Sequence, residues 1–236
     1  MKLDKIQVTP KKPDDPFRFN GTSLNFKILD FWIWNQSDLL VNTNRGILAE
    51  FIVKQALKIE STARVEWDTF DLKTNDGISL EVKTSAYIQS WQQKDYSKIS
   101  FDIASTSEWL PENTYSSDKK RQAMIYIFCL LHHKDQESID PMDLDQWTFY
   151  IVKTETLNER LPNQKTISLS ALEKLDHIKC DFGTLETSFR EMKDTLTMNS
   201  PDTDYLISIP SMRESIIAGI NTPTEECTDN PDWPIK

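Results

Sequence analysis

One stretch constrains this chain more than any other. Two strand-like runs, 64–72 and 78–84, are separated by Asn75-Asp76-Gly77, a composition suited to a three-residue hairpin loop. Such loops use a type I turn closed by a residue in the left-handed region, and Gly77 accepts that conformation without strain. The loop sets the register: Thr74 opposite Ile78, Leu72 opposite Leu80, Asp71 opposite Glu81, Phe70 opposite Val82 and Thr69 opposite Lys83. Facing residues share a side and sides alternate along a strand. One side is therefore apolar, with Phe70, Leu72, Ile78, Leu80 and Val82, and the other gathers Asp71, Glu81 and Lys83. A slip of one residue would destroy both patterns, so the register is well specified.

Adjacent carboxylates repel, which raises one pKa or calls for a cation between them. A hard divalent ion such as Mg²⁺ takes one or two carboxylates and completes its shell with water and phosphate oxygen. Lys83, two residues beyond Glu81, is placed to hold a phosphate or help deprotonate a water. This is equipment for metal-assisted phosphodiester hydrolysis. Glu50 strengthens the reading. It falls on an expected helix, 46–58, in a stripe with Gly46, Val53 and Leu57, where a carboxylate is costly without a partner.

Glu50 on a helix, then Asp71, then Glu81-Val82-Lys83 on paired strands resembles the PD-(D/E)xK, or restriction-endonuclease-like, nuclease superfamily. The run Glu81-Val82-Lys83-Thr84-Ser85-Ala86-Tyr87 with Gln89-Ser90-Trp91 is similar to bacterial members of it. Phe70 stands where many members have proline. The resemblance implies a restriction-endonuclease-like α/β core, a central mixed β-sheet flanked by helices, with N- and C-terminal elaborations. It also implies that Asp71, Glu81 and the Val82 carbonyl bind Mg²⁺, for which Mn²⁺ would substitute. Lys83 would activate water, Glu50 would hold a second ion or its water, and Gln89 would assist at the DNA.

The remaining pattern fits that architecture. Residues 123–131 are nearly continuous apolar sequence, the mark of a strand covered on both faces. Runs 99–104 and 147–153 read as further strands, and 168–175 and 185–192 as peripheral helices. A proline-containing arm of 20 residues leads into a helix over 27–35, whose tryptophans read as packing anchors. The expected divisions are 1–41, an arm and helix; 42–153, the core; 154–198, a helical region packed on it; and 199–236, an acidic extension. Cys129, Cys180 and Cys227 show no metal or disulfide spacing, and Cys129 reads as a core residue beside His132 and His133. Reduced cysteines, no apolar run long enough for a membrane span and no secretory leader make the expected location cytoplasmic.

Charge bears on the partner. The net formal charge of −10 argues against coating nucleic acid through bulk positive charge. Residues 41–133, however, carry 11 basic and 12 acidic side chains, whereas 134–236 carry 10 and 20. DNA contact is then expected from Lys94, Lys98, Lys119, Lys120 and Arg121, which bracket the site in sequence, with Trp91 and Tyr96 available to stack on bases. The expected function is a metal-dependent DNA endonuclease acting in restriction, phage defence or repair, with a homodimer or accessory protein as partner. The alternative is a catalytically inactive nuclease-fold protein serving as a DNA-binding or partner-docking module.

Overall fold

The computed structural model describes residues 6, 8–60, 63–64, 69–110 and 114–198. The chain divides into two compact units, Met1–Met192 and Lys193–Lys236. The first unit opens with β1 (Pro16–Phe19), β2 (Thr22–Lys27), α1 (Ile28–Gln36), α2 (Asn42–Ala56), β3 (Leu72–Lys73), β4 (Ser79–Ala86), β5 (Ser100–Asp102), β6 (Thr106–Leu110) and β7 (Thr114–Lys120). It continues with β8 (Ile125–Leu131), β9 (Trp147–Lys153), α3 (Thr154–Arg160), β10 (Thr166–Ser168), α4 (Leu169–Leu172), β11 (Ile178–Cys180) and α5, which begins at Leu185.

The centre is a mixed five-stranded sheet in the order β11-β9-β8-β4-β3. β8 is its middle strand and all seven of its residues are buried, as its continuous apolar sequence requires. β4 pairs with it in parallel and β9 antiparallel, so the sheet is mixed. One face carries Tyr126, Phe128, Leu130, Tyr150 and Val152 beneath Phe101, Ile103, Leu157, Ile167 and Leu172. On α2, Ala49, Ile52 and Val53 are buried, and this helix packs along β4. The region after residue 153 contributes strands as well as helices: β10 pairs with β5, and β11 extends the central sheet.

The hairpin has the register its loop implies, with Leu72 opposite Leu80 and Lys73 opposite Ser79. Gly77 adopts φ +94°, and its N–H donates to the Thr74 carbonyl at 2.9 Å. The paired part is shorter than expected. β3 is two residues long, so Asp71–Glu81, Phe70–Val82 and Thr69–Lys83 are not strand pairs, and residues 65–68 lie outside the described ones. The ladder stops because the Asp71 carboxylate accepts the Val82 N–H at 2.8 Å, where a strand carbonyl would otherwise stand.

Three further expectations change. The first 20 residues are not merely extended, since Pro16–Phe19 pairs with β2. The tryptophan-bearing helix is less buried than expected: no residue of α1 is fully buried, Trp32 is half-buried, and Trp34 is 81% exposed. Arg121 is not a surface cation. It is 6% exposed, and its Nε, Nη1 and Nη2 donate to the Ile103, Leu157, Leu161 and Gln164 carbonyls and to Asn158 Oδ1. A guanidinium has five N–H donors, so none remains for a phosphate. Arg121→Met should take a donor from four carbonyls, two of them buried, and destabilise the fold by about 3–5 kcal/mol in urea titration. Lys119→Met and Lys120→Met, at exposed positions, should change stability by no more than about 0.5 kcal/mol.

Candidate functional site

The short β3–β4 pairing brings an acidic group together at the sheet edge. Glu81 and Lys83 alternate with the buried Leu80 and Val82 and project to the side shared with Tyr126 and Phe128, their β8 partners. Asp71, one residue before β3, is held against β4 by the Val82 N–H. Glu50 approaches from α2; it is 8% exposed and is gripped by Arg64 through two bonds, Nε–Oε2 at 2.6 Å and Nη2–Oε1 at 2.9 Å. Lys83 Nζ donates to Glu81 Oε1 at 2.6 Å.

These charges feel one another. Burial raises the Glu81 carboxyl above its ordinary value, the charge of Asp71 adds to that, and Lys83 opposes it. Burial likewise raises Glu50, against the Arg64 hydrogen bond, with Asp71 pushing in the same direction as burial. For Lys83 burial acts downward, yet the Glu81 carboxylate, with Asp71 and Asp102, holds the ammonium above its usual value. Among the described residues, Glu50, Asp71 and Glu81 thus face Arg64 and Lys83, three carboxylates against two cations in a partly dry setting. Both shifted glutamates would be relieved by a proton or a further cation.

A cavity of about 550 Å³ opens beside the acids. Glu50 and Asp71 line it on one side, Ile47, Phe51 and Phe70 give it an apolar wall, and Lys54 and Lys73 add positive charge. Phe51 of α2 is 54% exposed there.

The structure therefore brings together Glu50, Asp71, Glu81 and Lys83, with Val82 contributing its N–H to Asp71. It places the other candidates elsewhere. Gln89 is buried, donating from Nε2 to the Ala86 carbonyl at 2.8 Å and to Ser97 Oγ at 3.2 Å, and accepting from Arg45 Nη1 at 3.0 Å. It fastens the start of α2 to the end of β4 and is not open to nucleic acid. Trp91, Lys94 and Lys98 are exposed in the segment after β4, whereas the exposed Lys119 and Lys120 precede β8. Because β4 and β8 are parallel, these groups lie toward opposite ends of the strand pair and do not form one patch. Tyr96 packs edge-on against Tyr87 and donates its hydroxyl to the Lys134 carbonyl at 2.8 Å. Cys129 is fully buried, and burial pushes its thiol well up, as befits a core residue.

Sequence reasoning passed over Arg64, Asp102 and Arg45. Arg64 stood in a run read as strand, and only the need of Glu50 for a partner pointed to it. Asp102 occupies a polar position of the alternating 99–104 run and faces Lys83 electrostatically. Arg45 is 3% exposed, bonds the Leu40 carbonyl, Asn42 and Gln89, and is pushed down to about 10 by burial.

Two comparisons with known proteins bear on identity. None of the curated proteins matches the chain. A family model described as bacteriophage T4 endonuclease IV matches residues 28–171, which include α2, the hairpin, the acidic cluster and the central strands β4, β8 and β9. That match spans more than half of the sequence, and the chain belongs to the bacteriophage T4 endonuclease IV family, a family of nucleases.

Proposed function

We propose that the protein is a metal-dependent DNA endonuclease with a PD-(D/E)xK-type site, in which Asp71 and Glu81 hold Mg²⁺. The observation that carries this reading is the β3–β4 edge, where register and one backbone hydrogen bond set Asp71 beside Glu81 and Lys83. Membership of an endonuclease family supports DNA as the substrate.

The donor set fits such an ion. Among the described residues no three His, Cys, Asp or Glu side chains form a ready-made cage. Mg²⁺ does not ask for one, since it keeps several waters and binds through one or two carboxylates and substrate phosphate. The excess negative charge of the cluster, with both glutamates shifted upward, is the other half of the fit. When bound, the ion supplies Lewis acidity to the phosphate and lowers the pKa of water beside it.

The chain's own residues do the rest. The Val82 N–H fixes the Asp71 carboxylate, so one ligand is oriented before substrate arrives. Lys83, paired with Glu81 here, would be the group to orient the attacking water or hold a phosphate oxygen. Glu50, steadied by Arg64, sustains the negative field that holds cations at this edge. The cavity beside Asp71 accepts the neighbouring nucleotide, with the Phe51 ring as a stacking surface and Lys54 and Lys73 toward the backbone.

Plasmid cleavage with Mg²⁺ or Mn²⁺ tests the reading. Lys83→Ala and Asp71→Ala should each lose about 100-fold or more in rate. Undiminished cleavage in either would remove the assignment, and no cleavage by the wild type would favour a binding module. Phe51→Ala should raise KM several-fold with a smaller change in kcat.

A second expectation concerns stability. A glutamate whose folded pKa lies above its unfolded value makes the fold less stable as pH rises past the ordinary value of 4.5. Glu81→Gln should therefore make the stability of the metal-free protein fall less than that of the wild type between about pH 4 and pH 7 in urea titration, with the lost pairing of Lys83 acting in the opposite direction on the absolute stability. Mn²⁺ should raise the Tm of the wild type and not that of Glu81→Gln, as read by calorimetry.

A further inference from the structure

The N-terminal arm of β1, β2 and α1 has the composition of buried structure and the exposure of a surface. Phe17, Phe19, Leu24 and Phe26 of the hairpin, with Leu29, Phe31, Ile33 and Trp34 of the helix, are between 37 and 81% exposed. A helix apolar around most of its circumference belongs in a core. Yet α1 contains no buried residue, and β2 is exposed throughout. The arm is held in shape by its own bonds. The N–H groups of Ile28 and Leu29 donate to the Asp15 and Pro13 carbonyls at 3.0 and 3.2 Å, and Lys27 pairs with Asp14 at 2.6 Å. The Phe17 and Phe26 rings already lie 4.9 Å apart, and Phe31 and Trp34 6.3 Å apart.

We propose that this arm is the self-association surface of the protein and docks on the arm of a second copy. The first support is area. With 150–250 Å² for a large side chain, the exposed parts of these eight residues amount to roughly 800 Å². A stable interface takes about 800 Å² from each partner. The second support is charge. Residues 16–36 carry only Arg18, Lys27 and Asp30, and Lys27 is already paired. DNA or an acidic protein would call for free cations here, and a basic protein for acids. A nearly neutral apolar face suits a two-fold contact, in which each side meets a copy of itself and like charges must not face one another.

Sedimentation velocity of the full chain at micromolar concentration tests this, beside Phe31→Ser/Trp34→Ser and the conservative Trp34→Phe. The wild type and Trp34→Phe should sediment at about twice the 27.5 kDa chain mass. The double variant should raise the dimer Kd about 100-fold or more, because aromatic anchors dominate such contacts. Its circular dichroism and Tm in dilute solution should match those of the wild-type monomer, since both residues are already exposed within one chain. A wild type that stays monomeric overturns the proposal. With Trp34 open to acrylamide, that outcome leaves the face to a different partner; with Trp34 shielded, it assigns the cover to another part of the same chain. A dimer unaffected by the double variant overturns the proposal equally.

Discussion

The hydrogen bond from the Val82 N–H to Asp71 Oδ2, at 2.8 Å, is the contact on which the acidic edge depends. It ends the β3–β4 ladder by letting a side chain take the place of a backbone carbonyl. A carboxylate that would otherwise swing in solvent is thereby fixed beside Glu81. Everything upstream serves that placement. Gly77 at φ +94° closes the loop, the loop sets Leu72 against Leu80, and Leu80 is anchored by the parallel pairing of β4 with the buried β8. Rigid central strands make the edge a defined place and not a mobile loop.

Electrostatics gives that place its character. A carboxylate cluster in a partly buried setting works against stability, which shows in the upward shifts of Glu50 and Glu81. Among the described residues, Arg64 holds Glu50, Lys83 holds Glu81 and a backbone N–H holds Asp71, so three acids stand against two cations. Ion pairs built only for stability do not usually keep such an excess, because each uncompensated buried charge is costly. On the proposed reading the missing positive charge arrives with the ion, which then also meets the negative phosphate of the substrate.

Legibility in the sequence followed the physics of each signal. The hairpin register could be read because turn chemistry and two-residue alternation are local and agree. β8 could be read because a strand covered on both faces needs no polar side. The Asp71–Glu81–Lys83 grouping was expected from the register, although the Val82 N–H and not a strand pair holds Asp71 there. What could not be read depends on tertiary neighbours. Arg121 and Gln89 look like surface polar residues, yet each is tied to groups brought to it by the fold, Arg121 to the distant Leu157 and Leu161 carbonyls and Gln89 to Arg45. The arm failed for a related reason: its composition argues for burial, and nothing local says that its own chain does not bury it.

Iron-directed self-cleavage tests the central claim most directly. Fe²⁺ substituted for Mg²⁺, with ascorbate and peroxide, generates hydroxyl radicals where the metal sits and breaks the nearby backbone. The expected result is cutting confined to the segments around Asp71 and Glu81–Lys83, with weaker cutting near Glu50, all suppressed by excess Mg²⁺. Cutting elsewhere, or none that Mg²⁺ suppresses, would contradict a metal site at the β3–β4 edge.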